Sequence, residues 1–114
     1  ARFAGAFSDP SSCPLLTEES VGAMWAPQKD HPGAVWYGLG WQVRDVGGGR
    51  KNVWHTGLLT GGTSTIMVRR HDGLSWAVLF NTDRSASSGE ALSGLIDPLV
   101  HRAVNEVKER SMGR

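Results

Sequence analysis

The chain has 114 residues, of which 39% are hydrophobic and 20% charged, and its formal net charge is +1 at pH 7. These values are typical of one globular domain, and the small net charge gives no reason to expect a nucleic-acid partner. No apolar run approaches the roughly 20 residues that a membrane-spanning helix needs. The single cysteine, Cys13, has no internal disulfide partner, so packing has to stabilise the fold.

The N-terminal region combines an irregular segment with a short helix. Residues 1–16 are rich in Gly, Ser and Pro without a sustained period, which predicts a loop or an incoming linker. A helix is predicted to begin after Thr17, because this N-cap residue type is followed by two glutamates near the positive end of the helix dipole. Pro27 makes an extension of this helix beyond Ala26 unfavourable.

The middle of the chain predicts strands. A period of two begins at Trp36 and predicts a strand with Leu39, Trp41 and Val43 on one face. The glycine run at 47–49 predicts a turn, because glycine adopts positive φ at little cost. Three further strands are predicted, the last two joined into a hairpin by an Asp-Gly turn; they cover Asn52 to Leu58, Thr63 to Arg70 and Leu74 to Asn81.

The C-terminal segment predicts a long helix, because apolar residues recur at helical spacing from Leu92 to Val107. Ser87 and Glu90 have the spacing of a capping box at its start. Pro98 lies inside the pattern and predicts a kink or a short break there.

The order of these elements, one helix, four strands and a final helix, predicts an α+β fold in which an antiparallel sheet packs with a long C-terminal helix. Residues 17–114 are expected to form this sheet-and-helix part. No pair of the four histidines has the spacing of a metal site, so we predict neither a metal nor a cofactor.

Four short motifs stand in order along this pattern. They are Tyr37-Gly38-Leu39-Gly40-Trp41, His55-Thr56-Gly57, Gly61-Gly62-Thr63-Ser64 and Asn81-Thr82-Asp83. In this respect the chain resembles the C-terminal portion of serine hydrolases that include class C β-lactamases, penicillin-binding proteins with D-alanyl-D-alanine carboxypeptidase activity, and related esterases. The resemblance covers nearly the whole chain and implies a partial β-lactamase/transpeptidase-like fold.

The same resemblance implies roles for a run of site residues. Gly57 would let substrate approach the backbone, and the N–H of Leu58 would stabilise the oxyanion of an acyl-transfer transition state. Thr56 and His55 would orient the substrate. Tryptophans are more often core residues than ligand contacts, but the position of Trp54 next to this triplet makes it a candidate for lining the pocket. His55 stands where relatives usually carry Lys. A neutral or partly charged imidazole attracts a carboxylate less firmly than an ammonium, which favours an esterase or amidase.

Each of these features also has a purely structural interpretation. A histidine beside a tryptophan on a half-buried strand is often a satisfied interior side chain, and Gly61-Gly62 is often only a turn. The ordered match on both sides of His55 favours the functional interpretation.

The chain lacks two catalytic elements of such hydrolases. No serine is followed three residues later by lysine, and Tyr37 does not begin a Tyr-x-Asn motif. Together with the absence of an initiator methionine, this predicts a C-terminal fragment of a longer serine hydrolase. The fragment would be inactive alone, and the parent would act on a small ester or amide. The alternative is a non-catalytic binding or interaction module that retains the scaffold.

The strand from Leu74 to Asn81 has a further consequence by resemblance. In the family it pairs with a strand from the N-terminal end of the protein, so its edge would be open here. Its apolar run, residues 76–80, is of the kind that recruits another chain. We therefore expect it to pair with the missing N-terminal segment or to mediate self-association.

Overall fold

The computed structural model describes residues 1–29, 31 and 33–114. In chain order the elements are α1 (Arg2–Gly5), a 3-10 helix (Pro10–Ser12), α2 (Glu18–Trp25), β1 (Val35–Tyr37), β2 (Gln42–Asp45), β3 (Lys51–Leu59), β4 (Thr63–Arg69), β5 (Ser75–Phe80) and α3 (Leu92–Met112). The strands form one sheet in the order β1-β2-β3-β4-β5, so each strand lies beside its neighbour in sequence. The predicted α+β class, an antiparallel sheet with a long C-terminal helix, is confirmed.

The N-terminal segment differs from the expected loop, because it contains α1 and the 3-10 helix. Phe7 is buried, and its ring centroid lies 5.5 Å from that of Trp41 in an edge-on arrangement. The apolar side chains of this segment therefore contribute to the core, which its Gly, Ser and Pro content did not indicate.

Helix α2 has the predicted boundaries. The hydroxyl oxygen of Thr17 accepts a hydrogen bond of 3.2 Å from the backbone N–H of Ser20, which satisfies one of the free donors of the first turn. The helix ends at Trp25, before Pro27. Its buried face consists of Val21 and Trp25.

The single strand predicted from Trp36 through Val43 is wrong. The structure has two short antiparallel strands there, β1 and β2, paired from Val35↔Arg44 to Tyr37↔Gln42. The chain turns between them with a hydrogen bond of 2.7 Å from the N–H of Gly38 to the carbonyl of Trp41. Leu39, expected on the same face as Trp41, lies in this turn and is 69% exposed.

Strands β3, β4 and β5 were predicted correctly within two residues at each end. The turn before β3 contains three consecutive glycines with positive φ, as expected. The turn before β5 places Gly73 at φ 84, which confirms the Asp-Gly turn.

Helix α3 begins later than its sequence predicts. Its N-cap is Ala91, which makes no side-chain capping bond, so the predicted capping box of Ser87 and Glu90 is wrong. The helix is continuous from Leu92 to Met112 with Pro98 inside it, so the short break predicted at Pro98 is wrong, and the alternative prediction of a kink stays a prediction.

The described chain divides into two compact units. The first comprises Ala1–His55 and Met67–Ala77, and the second comprises Thr56–Ile66 and Val78–Arg114. The core cluster of the first unit consists of Phe7, Val21, Trp25, Trp36, Trp41, Val43 and Val53. In the second unit Ser64, Ile66 and Ser93 are buried.

Candidate functional site

The predicted site residues are consecutive on β3. Trp54 and His55 belong to the first unit, and Thr56, Gly57 and Leu58 belong to the second. His55 and Thr56 are exposed, Leu58 is 45% exposed, and Trp54 and Gly57 are half-buried. Solvent therefore reaches this stretch of the strand, as a substrate-binding edge requires.

The register of β2 against β3 shows which backbone groups lie on which edge. The pairs run from Gln42↔Trp54 to Asp45↔Lys51, and the N–H of Val46 donates to the carbonyl of Arg50 at 2.9 Å in the same register. Hydrogen-bonded pairs alternate along an antiparallel ladder, so the backbone groups of Trp54 face β2.

The same alternation continues along β3. The N–H groups of Thr56 and Leu58 point to the same side of β3 as that of Trp54, because they are two and four residues beyond it on the same strand. Strand β2 ends at Gln42, opposite Trp54. The pairing of β2 with β3 therefore ends at Trp54, within the first unit.

Gly57 has a close neighbour on β4. A Cβ atom at this position would lie 2.5 Å from the side-chain oxygen of Thr65, far inside van der Waals contact. Packing between β3 and β4 therefore accounts for glycine here, independently of any substrate.

A carboxylate holds the turn that follows the site. The backbone N–H of Gly62 donates to the carbonyl of Leu59 at 2.9 Å, and Gly61 has φ 75. The side chain of Asp83, on the loop after β5, accepts a hydrogen bond of 2.8 Å from the N–H of Gly61. This bond ties the tip of the β3–β4 hairpin to the loop that leads into α3.

The hydrogen bond from Gly61 lowers the pKa of Asp83 below its ordinary value, because it stabilises the carboxylate, and the neighbouring N–H groups and the charge of Arg84 act in the same direction. A carboxyl whose folded pKa is depressed contributes stability above its unfolded pKa, about 3.9. That stability is lost as the pH falls through the folded pKa.

We therefore predict that the amide signal of Gly61 in NMR spectra shifts with a midpoint below about pH 3.9 as Asp83 is protonated. The amide of Gly62, bonded to a carbonyl, is the internal control and should shift much less. The variant D83N should abolish the transition at Gly61. A Gly61 midpoint at or above pH 3.9 in the native chain would contradict the prediction.

A second polar contact lies at the start of β4. The backbone N–H of Ser93, in the first turn of α3, donates to the hydroxyl oxygen of Ser64 at 2.9 Å, and both residues are buried. A side chain from the sheet thus accepts from a free donor of the first helical turn, which no local residue caps.

His55 has a partner that the sequence analysis missed. The hydroxyl of Tyr37 lies 3.1 Å from Nε2 of His55, and the two rings meet edge to face with centroids 6.0 Å apart. The two residues are 18 positions apart, and the one signal that pointed to Tyr37 was its place in the Tyr-Gly-Leu-Gly-Trp motif. This hydrogen bond fixes the orientation of the imidazole ring.

Trp54 is also engaged within the first unit. The guanidinium carbon of Arg44 lies 5.6 Å from the centroid of its ring, at cation–π distance. The predicted role of Trp54 as a pocket wall stays a prediction.

The other histidines have structural contacts or exposed positions. Nδ1 of His71 lies 3.0 Å from the side-chain oxygen of Asn52, and Nε2 of His101 lies 3.6 Å from a carboxylate oxygen of Asp97. His31 is exposed. Among the described residues, no group of three or more His, Cys, Asp or Glu side chains is arranged to hold a metal ion.

The helices of the described ranges include none that is long and apolar enough to cross a membrane. Neither the curated proteins nor the solved structures contain a match to the chain. The model of the Beta-lactamase family matches residues 1–100, which is most of the chain. The family resemblance drawn from the ordered motifs is therefore confirmed, and the chain belongs to the Beta-lactamase family.

Proposed function

We propose that this chain supplies one wall of the active site of a serine hydrolase that cleaves esters or amides through an acyl-enzyme. The family match supports a β-lactamase-related hydrolase. The finer assignment, with the chain as the C-terminal part of the enzyme, rests on the residues of β3.

The edge of β3 at Leu58 carries this proposal. Its N–H points to the same side of β3 as that of Trp54, the last residue that pairs with β2, and Leu58 is 45% exposed. A backbone N–H in such a position can donate to the oxygen of a reacting carbonyl as negative charge develops on it. The N–H of Thr56 lies on the same edge and can hold an extended substrate in the manner of an added strand.

Two side chains would then orient the substrate. His55 is exposed and is held by the hydroxyl of Tyr37, so its Nδ1 is the ring nitrogen left for a substrate group. Thr56 is exposed beside it. A histidine at this position gives no fixed positive charge, which favours a neutral ester or amide over a substrate that is anchored by its carboxylate.

The nucleophile has to come from outside these 114 residues, because no serine here is followed by lysine three residues later. We expect the isolated chain to release no product from a nitrophenyl ester above the buffer rate, and a burst of product would contradict this assignment. The coding sequence upstream of residue 1 separates the alternatives. A Ser-x-x-Lys followed by Tyr-x-Asn supports the hydrolase, and an unrelated domain or a stop codon supports a non-catalytic binding module.

Replacing His55 by Ala in the complete protein that carries this chain should lower kcat/KM for a nitrophenyl ester about tenfold or more. The reason is the loss of at least one hydrogen bond to the substrate, since a factor of ten corresponds to about 1.4 kcal/mol. The variant Y37F, which removes one hydroxyl group, should give a smaller loss in the same direction, because it releases the ring of His55 without removing it.

The steady-state kinetics of H55A and Y37F are compared with those of R44Q, in which the changed side chain lies over Trp54. Kinetics of H55A equal to those of the unchanged enzyme would reduce His55 to a structural residue of β3.

The exposed edge strand β5 is a candidate binding surface for a further strand. Strand β5 is the last in the sheet order, and all six of its residues are partly or largely exposed. Leu79 is 75% exposed. An apolar strand at the end of a sheet offers backbone groups and side chains to a further strand. We infer that it pairs with a segment of the complete protein, or, in the isolated chain, with a second copy.

Sedimentation velocity of the isolated chain should therefore show association that increases with concentration. The variant L79K should shift the distribution towards the monomer, because a charge on an edge strand opposes pairing. V107K is the matched control, since Val107 is 63% exposed on α3, away from this strand in sequence. A monomer at all concentrations, or equal effects of the two variants, would exclude self-association through β5.

A further inference from the structure

A cavity of about 330 Å³ lies within the first unit. Helix α2 contributes the apolar side chains of Val21 and Trp25 to the lining. It also contributes Glu18, the one acidic residue among the described residues that line the cavity. Four basic residues also line the cavity, Arg50, Lys51, Arg69 and His71, and the lining is completed by Pro10, Gly22 and Gly49. Its volume is at the lower end of the range for small-molecule sites, about 300–1,000 Å³.

Arg69 is the buried member of this set, with 6% of its surface exposed. Its Nε donates to the carbonyl of Phe7 at 2.9 Å, and its two Nη atoms donate to the carbonyls of Lys51 at 3.2 Å and Ser8 at 2.8 Å. The guanidinium carbon lies 5.0 Å from the centroid of the Trp25 ring. These interactions hold the side chain in one place with neutral partners.

The charge of Arg69 has no direct counter-ion among the described residues, because none of their carboxylate oxygens forms an ion pair with it within 4.0 Å. Asp9 and Asp72 are the acidic groups that act on it from farther away, and Asp72 is paired with Arg70 at 3.1 Å. Burial is the main cause that lowers the pKa of Arg69. A buried cation in a protein is normally paired, since desolvation of an uncompensated charge is costly.

We propose that this cavity is a binding site for a small oxyanion, a carboxylate or phosphate group, whose charge would compensate Arg69 and contact Arg50 and Lys51. Each Nη of a guanidinium carries two protons, so each Nη of Arg69 has one proton beyond those given to the two carbonyls. The indole of Trp25 and the side chain of Val21 would contact an apolar part of the ligand. This inference does not depend on the proposed hydrolase function.

Titration of the 114-residue chain with sodium phosphate, and separately with sodium acetate, at constant ionic strength tests the site. The backbone amides of Arg50 and Lys51 and the indole N–H of Trp25 are followed by NMR. We expect these signals to shift together and to saturate with one of the two anions. Saturation with phosphate alone assigns a phosphate group, and saturation with acetate alone assigns a carboxylate. If neither anion saturates the shifts, the site does not exist.

The variants R50Q and R44Q remove the same charge from the same unit. Arg50 is exposed on the turn before β3 and lines the cavity, whereas Arg44 lies over Trp54 and is absent from the lining. R50Q should weaken anion binding about tenfold or more, since it removes a charged donor, and R44Q should bind like the unchanged chain. Equal weakening in both variants would show that the anion senses only net charge and would overturn the proposal. Circular dichroism checks that both variants fold.

Discussion

Replacing Gly38 by Ala should destabilise the fold more than the same replacement at Gly22 or Gly57. A Cβ atom at this position would lie 2.2 Å from the backbone carbonyl oxygen of Met24. That oxygen cannot move away freely, because it accepts a hydrogen bond of 2.9 Å from the N–H of Leu39. Since a backbone atom has to shift, we expect a loss of about 3 kcal/mol or more in the free energy of unfolding.

Thermal and urea unfolding of G38A measure this loss, which corresponds to a decrease in Tm on the order of 10–20 °C for a domain of this size. G22A is the matched control in α2, where an added Cβ meets nothing within 4 Å. There the change should be neutral or stabilising by up to about 1 kcal/mol, because Ala is the better helix former. A G38A variant as stable as the native chain would mean that the turn between β1 and β2 is packed differently against α2.

Replacing Gly57 by Ala should affect both stability and activity. The new Cβ would lie 2.5 Å from the side-chain oxygen of Thr65, and overpacking of this kind costs about 1–3 kcal/mol. The obstacle is the end of a side chain, so it can be removed. In the double variant G57A/T65A the nearest remaining atom is Cβ of residue 65, at 3.9 Å, an ordinary contact distance.

The double variant separates the two interpretations of Gly57. We expect it to recover most of the lost stability, with a coupling energy of about 1–2 kcal/mol between the two positions. If the N–H of Leu58 has the oxyanion role proposed above, hydrolysis of an ester by the complete protein carrying both changes should remain about tenfold or more slower, because a methyl group beside this N–H would displace the substrate. The single variant T65A provides the control for activity. Full recovery of hydrolysis by the double variant would show that glycine serves only the packing of β3 on β4.

The sequence predicted best the features that neighbouring residues determine. The cap of Thr17 on α2 and the Asp-Gly turn before β5 involve residues within a few positions of each other, and both are present. The alternation of apolar residues placed β3, β4 and β5 within two residues at each end. The antiparallel sheet followed from these elements without knowledge of distant contacts.

The wrong predictions concern features that depend on contacts between residues far apart in the sequence. Alternation from Trp36 to Val43 fits one long strand as well as two short strands with a turn, and the turn is fixed by contact of Gly38 and Leu39 with the carbonyl of Met24. At the other end of the chain, the hydroxyl of Ser87 lies 2.9 Å from that of Ser85 within the loop, so it does not cap α3.

In the candidate site, too, local features could be predicted and contacts between distant residues could not. The run from Trp54 to Leu58 could be recognised as a motif, because its residues are consecutive. The contacts of His55 with Tyr37 and of Gly61 with Asp83 join residues 18 and 22 positions apart. These contacts depend on how the strands and loops pack together, and a local sequence pattern gives no information about that packing.

The hydrogen bond from Ser93 to Ser64 has a consequence for the order of folding. The first turn of α3 takes its acceptor from β4 rather than from its own flanking residues, so the N-terminal end of this helix lacks this capping bond, which contributes about 1 kcal/mol, until β4 is in place. The first turn of the C-terminal helix would then reach its full stability only after the β3–β4 hairpin has formed.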